Sequence, residues 1–347
     1  MIKYFFKKKI QKKWNKNLLM IFLILGSLIT MNSSTWLSAW MGMELNLLCF
    51  IPIMKKKNLK NTNSMMIYFI VQASSSTLLL MTIFLIKMEF MLLKLNLMMS
   101  MIQISLMMKL GSAPFHWWMP KIMNFLNWKN CFILMTWQKI APICLMHMTI
   151  FSKFIYLSIF YSAFLGSILG INQLSIKLIL SYSSINHLAW LLISIKLNFY
   201  LFMIYFSIYS LNILSICFIL NNLNFSYLSE LYNKNNSKIT MFMKLILMSL
   251  FFSLSGLPPF LGFLPKLFVL IYMMMNSLYM ESFIMIIFTL ITISYYFNPL
   301  MNMIMLIKTN LKFNTNNNYN KLFIVISIYS TLNLIILMPL MWILPLN

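Results

Sequence analysis

Lys109, Lys139 and Lys266 stand in or beside apolar runs of membrane length, and each has Pro or Gly within a few residues. Glu44, one of four acids in the chain, sits in the middle of another such run. A charge at bilayer depth costs at least about 2.5–3.5 kcal/mol on insertion scales, so it usually marks an ion or proton path. The chemistry these four residues offer is proton exchange. Buried amines and carboxylates change charge when a partner moves, because desolvation and pairing push them in opposite directions.

The surroundings of each differ. Glu44 lies in TWLSAWMGMELNLLCFIPIM, about 12 Å along a helix from Trp36, an aromatic of the interfacial type. An unpaired acid at that depth is neutral and a paired one charged; a purely structural salt bridge is the plainer alternative. Lys109 lies in MMKLGSAPFHWWMP, just before Gly111, and Pro114 cannot donate to the carbonyl of Leu110. Lys139 lies in MTWQKIAPICL, where Pro142 likewise leaves the carbonyl of Gln138 without its donor. Lys266 follows GLPPFLGFLP and opens a half-helix, whose N-terminal dipole works against an ammonium.

His116, past the first Gly/Pro break, and His187, in SYSSINHLAW, are candidate proton relays. Ser183, Ser184 and Asn186 beside His187 are suited to hold water. A buried His is more often a hydrogen-bonded packing group, and both roles stay open here. Lys121 and Lys244 lie near run ends, where a long amine reaches the interface.

Other chemistry lacks residues to carry it. The sequence contains no phosphate-binding Gly loop, no HExxH and no Cys/His ligand cluster. Cys49, Cys131, Cys144 and Cys217 are scattered, with no CxxC pair. NADH, flavin, an iron–sulfur centre or a metal is therefore not expected on this chain. The 35 Met are spread throughout, as packing groups are and copper ligands are not.

The elements that must position these groups are apolar helices. The chain has 347 residues, 61% hydrophobic and 9% charged, where a soluble protein carries about 25% charge. Runs of roughly 20 apolar residues are long enough to cross the hydrocarbon as helices. The predicted class is an all-α polytopic membrane protein. Its eleven crossings are 18–35, 37–54, 64–86, 90–126, 129–148, 151–172, 174–195, 198–222, 240–280, 282–307 and 322–345. The fourth and ninth are too long for one straight helix and contain the breaks GSAP (111–114) and GLPPFLGFLP (256–265). Two interrupted helices in corresponding halves point to a transporter-type site. Residues 1–17 form a basic extension and 18–347 a single transmembrane domain.

The net charge of +23 comes from 27 Lys against four Glu, with no Arg and no Asp. A nucleic-acid partner is not expected, because most Lys fall in short loops between apolar runs; lipids are. Lys counting gives 18 on the side of the N-terminus and four on the other, which places the N-terminus inside and, with eleven helices, the C-terminus outside. The abundance of Met, Asn, Ile and Lys suggests an AT-rich genome with mitochondrial-style coding.

The segments WMGMELNLLCFIP, MKLGSAPFHWWMP, MTWQKIAPICLM, LSYSSINHLAW and SLSGLPPFLGFLPK occur in this order. They resemble the chain 2 family of mitochondrial NADH:ubiquinone oxidoreductase (complex I), over residues from about 18 to 345. The resemblance implies an antiporter-like fold with two broken helices and a line of buried charges. It implies a proton-translocating core subunit in the mitochondrial inner membrane, N-terminus in the matrix and C-terminus in the intermembrane space. It also implies roles. Glu44 resembles the glutamate that pairs with the broken-helix lysine, Lys109 that lysine, Lys139 the central-axis lysine, and Lys266 the lysine of the second broken helix. Neighbouring antiporter-like and other membrane-arm subunits are the implied partners, and NAD, FMN, iron–sulfur clusters and ubiquinone are implied on other subunits. A free-standing cation/proton antiporter is the alternative. The Lys-rich extension is longer than the family's, and Asn63, Ile67 and Ile176 stand where the family usually carries charge.

Overall fold

A computed structural model describes residues 2–55, 59–88, 95–149, 153–232, 241–258 and 260–307. Outside these lie the run 322–345, Pro259, and Lys56, Lys57, Lys94, Lys234, Lys238, Lys308, Lys312 and Lys321. The side chains of Lys244 and of the extension as far as Asn15 also lie outside them.

The described residues are helical throughout, with a single isolated bridge between Ser175 and Tyr227 outside the helices. The other ten apolar runs all overlap helices. In order these are α1 (Ile2–Met31), α2 (Trp36–Met54), α3 (Leu59–Lys87), α4 (Leu95–Leu110), α5 (Trp118–Phe125), α6 (Trp128–Met135) and α7 (Trp137–His147). They continue with α8 (Lys153–Ile168), α9 (Ile176–Leu197), α10 (Phe199–Leu223), α11 (Leu228–Tyr232), α12 (Met241–Ser255), α13 (Phe263–Met275) and α14 (Tyr279–Ile307). Five segments are long and apolar enough to cross a membrane unaided: Trp36–Met54, Thr62–Lys87, Ile176–Leu197, Phe199–Leu223 and Tyr279–Asn298. Large apolar side chains such as Met81, Leu157 and Leu290 stand exposed along the helices, which suits acyl chains as the surrounding solvent.

The chain divides into two compact units, Met1–Ser158 and Ile159–Asn347. In the first, α1 and α2 approach through Gly26 and Gly42, where a Cβ on Gly42 would lie 2.8 Å from the Gly26 carbonyl oxygen. Small residues permit that contact, the usual device when water supplies no driving force between helices. Thr35 starts α2 by accepting a hydrogen bond from the Ser38 N–H at 3.3 Å. Helix α3 packs on α2, α4 and α5, and α7 packs on α4. In the second unit α9 is buried around nearly its whole circumference and packs against α10 and α13. Helix α10 starts on Asn198, whose side chain accepts from Tyr200 N–H, and ends on Asn224 in the left-handed conformation at φ 59°.

Both expected breaks are present, one in each unit, and they share one cap. Helix α4 stops at Gly111 with φ +69°, its N–H and that of Ser112 both turning back to the carbonyl of Met107. Helix α12 stops at Gly256 with φ +77°, and the N–H groups of Gly256 and Leu257 turn back to Phe252 in the same way. These are left-handed glycine caps, so Gly111 ends α4 before Pro114 is reached.

A third interruption was not expected. The run 129–148 breaks at Thr136, between α6 and α7. No Gly or Pro stands there. The Thr136 hydroxyl donates to the Phe132 carbonyl at 2.8 Å, a back-bond that bends helices, and Lys139 N–H closes a tight turn onto the Thr136 carbonyl at 3.0 Å.

Candidate functional site

In the first unit, α2, α3, α4, α5, α6 and α7 line a cavity of ≈ 20 Å³, room for about one water. Lys109 and Lys139 both line it, with Asn46, Tyr68, Gln72 and Gln138. The two lysines are 6% and 2% exposed, so both side chains are buried. Three helices are tied together at its wall. The Tyr68 hydroxyl donates to Gln138 Oε1 at 3.4 Å, and Gln138 Nε2 donates to Asn46 Oδ1 at 3.0 Å. Gln72 Nε2 donates to the Lys109 carbonyl at 3.2 Å, and Trp118 Nε1 to that of Met108 at 3.2 Å. Two of the last carbonyls of α4, those of Lys109 and Met108, are thus met by side chains of α3 and α5.

Glu44 stands on α2, half-buried, and its Oε1 is buried with no hydrogen-bond partner. Glu44 is not on the wall of the cavity that Lys109 lines. His116 also stays off that wall. It is half-buried in the turn before α5, its carbonyl accepting from Met119 N–H at 3.1 Å. Lys121 is exposed, its Nζ 5.2 Å from the centroid of the Trp117 ring, a surface cation–π contact of the snorkelling kind.

The polar stretch QASSST at 72–77 of α3 turns its hydroxyls onto its own helix. Ser74, Ser75, Ser76 and Thr77 each donate to a carbonyl of their own helix at 2.8–2.9 Å. Gln72 alone among 72–77 lines the cavity.

In the second unit Lys266 corrects the expectation of an unfavourable dipole. Its Nζ crosses the break and donates to the carbonyl of Ser255 at 2.8 Å and that of Leu254 at 3.5 Å. Those are the last carbonyls of α12, the negative end of that helix, which favours a cation. A Cβ on Gly256 would come 2.8 Å from Lys266 Cδ, so this glycine also leaves room for the lysine stem. Close by, a cavity of ≈ 10 Å³ is lined by His187, Tyr205, Tyr209, Asn212, Ser253 and Leu254 among others. His187 Nδ1 and the Tyr205 hydroxyl are 2.9 Å apart, and the His187 and Tyr209 rings are 4.9 Å apart. Ser183 and Ser184 also donate back to the carbonyls of Leu180 and Ser181.

Sequence reasoning missed Asn46, Tyr68, Tyr205 and Tyr209 as companions of the buried charges. Faint signals existed: Asn46 is two positions beyond Glu44, Tyr68 and Gln72 share a face of α3, and Tyr205 and Tyr209 share a face of α10.

Residues 33–294 match the model of a family described as NADH:quinone oxidoreductase/Mrp antiporter, TM. The NADH-ubiquinone oxidoreductase chain 2 of Anopheles gambiae is 41% identical over 318 residues, 89% of this chain and 92% of that protein. The NADH-ubiquinone oxidoreductase chain 2 of Locusta migratoria is 37% identical over 332 residues, 93% of this chain and 96% of that protein. Among solved structures, a chain of respiratory complex I from Thermus thermophilus with bound aureothin shares the fold at a TM-score of 0.77. It is 18% identical, and the match covers 93% of this chain and 77% of that one.

Proposed function

We propose a mechanism from the premise that this chain belongs to the NADH:quinone oxidoreductase/Mrp antiporter family and, within it, to the NADH-ubiquinone oxidoreductase chain 2 group. The chain is a proton-translocating, multi-pass membrane subunit of respiratory complex I, the H+-translocating NADH:ubiquinone oxidoreductase of the mitochondrial inner membrane. Its partners are other membrane-arm subunits.

The residue roles are our reading. The observation that carries them is the single cavity lined by both Lys109 and Lys139. In the step we assign to it, Lys109 as an ammonium gives one proton to a water. That water gives one of its own to the neutral amine of Lys139, and the charge moves with no net change in atoms. Glu44 sets the direction. When it approaches, it holds the proton on Lys109; when it withdraws, the proton is released. At 4 Å and an effective dielectric of 20 such a pair is worth about 4 kcal/mol. Moving one proton against roughly 170 mV costs about 4 kcal/mol, so one pair is matched to one proton. In the second unit we assign proton exchange to Lys266, which the α12 carbonyls hold as a cation, and a relay role to His187 through Tyr205. NAD, FMN, iron–sulfur clusters and ubiquinone we assign to other subunits, because the residue types of this chain offer no ligand set or nucleotide loop for them. We place the N-terminus in the matrix and the C-terminus in the intermembrane space on the Lys asymmetry. A free-standing cation/proton antiporter is disfavoured by the identity of the nearly full-length relatives.

Glu44→Gln keeps the side-chain shape and removes the charge. Protons translocated per NADH oxidised should fall about threefold or more in membranes carrying the assembled variant, and an unchanged ratio would remove Glu44 from the mechanism. Lys121→Met serves as a control. That amine already sits at the surface, so the ratio should stay within about twofold of wild type; a large loss would place a second proton route at Trp117.

A further inference from the structure

We propose that Gln138 is a positioning residue, clamped between Asn46 and Tyr68, that keeps a site for one water open between Lys109 and Lys139. The proposal rests on the proton-transfer reading of those two lysines and adds the group that organises the space between them.

The donor order around Gln138 is what makes it more than a packing residue. The Tyr68 hydroxyl donates to Gln138 Oε1 over a long 3.4 Å, and Gln138 Nε2 donates to Asn46 Oδ1 at 3.0 Å. Tyr68 therefore presents its oxygen to the cavity as an acceptor, and Asn46 keeps its NH2 as a donor. A water at this wall has an acceptor for one of its protons and a donor for one of its lone pairs. Buried waters persist where two to four such partners surround them. Asn46 is 4% exposed, Tyr68 2% and Gln72 6%, so the site is closed to bulk water on the sides they cover. Gln138 joins α7 to both α2 and α3, and it immediately precedes Lys139. Without its amide, the Tyr68 hydroxyl is released to donate into the cavity, and the Asn46 side chain loses its anchor. Both then compete with the lysines for the water.

Two variants test this in the assembled complex. Gln138→Leu removes both bonds; Tyr68→Phe removes one and keeps the ring, which packs 5.3 Å from Phe50 and 6.0 Å from Trp118. The readouts are protons translocated per NADH oxidised and a cryo-electron-microscopy map that resolves buried waters. Wild type should show one water in contact with the cavity wall, and Gln138→Leu should lack it. Gln138→Leu should lower the proton ratio about fivefold or more. Tyr68→Phe should lower it less, since its bond is the longer one, and the double variant should be no worse than Gln138→Leu alone. If Gln138→Leu fails to assemble, Tyr68→Phe decides by the same two readouts. A normal proton ratio, or an unchanged water site, in the deciding variant overturns the proposal. When Lys139→Met at the same time loses pumping, the failure belongs to the Gln138 role alone. When Lys139→Met also pumps normally, the underlying reading of the lysines has failed. Loss of assembly with normal pumping per complex in both variants identifies Gln138 as merely structural and also overturns it.

Discussion

Replacing Lys139 with Met should lower proton translocation per NADH oxidised by about tenfold or more while the complex still assembles. The two halves of that result have separate physical grounds. Lys139 is 2% exposed and lines the same cavity as Lys109, so its amine is placed to exchange a proton that has few other routes. A positioned acid–base group contributes about 10²–10⁴-fold where it acts, and leakage through remaining water lowers the observed factor. Met keeps most of the apolar stem and removes the cost of holding an ammonium away from water. Folding should therefore survive. Normal pumping in Lys139→Met, or a variant that only fails to assemble, would make the residue structural and favour a scaffold whose buried charges carry no protons. The matching lysine of a bacterial homologue is the practical place to make the change.

The second large effect falls first on assembly and then on pumping. Gly262→Ala should cut the amount of assembled complex several-fold. A Cβ at Gly262 would overlap the carbonyl of Ser253 in α12. The conformation of Gly262 is ordinary, at φ −65°; what the position lacks is space. Alanine forces α13 away from α12, and overpacking of this kind costs about 1–3 kcal/mol. Losses of about 1–2 kcal/mol already change abundance several-fold in cells. The same displacement pulls Lys266 from the Ser255 carbonyl, so the complex that does assemble should also pump poorly. Native-gel quantification with proton translocation per assembled complex checks both points. Wild-type abundance with wild-type pumping would show that the two half-helices do not depend on this contact.

Much of the fold was legible in the sequence because its signals are local. Membrane-length apolar runs follow from hydropathy, and the breaks at 111–114 and 256–265 follow from Gly and Pro, whose backbone effects travel with the residue. Four isolated charges at depth were visible for the same reason, since their cost needs no knowledge of neighbours. The interruption at Thr136 was not legible: a hydroxyl back-bond competes with the helix only weakly, and most Ser and Thr in these helices make one without breaking them.

The sequence by itself determined that this chain is a helical membrane protein with two glycine-ended half-helices and buried lysines beside them. Only the tertiary structure decided what those lysines face. The contacts that join Gln138 to Tyr68 and to Asn46 span 70 and 92 positions, and they depend on the rotation of α7 relative to α2 and α3. Lys266 illustrates the same limit. Its place in the sequence put it at the positive end of α13, whereas its long side chain lets it reach the negative end of α12. A helix dipole acts over a turn or so, so which dipole governs a flexible lysine is settled by packing and not by register.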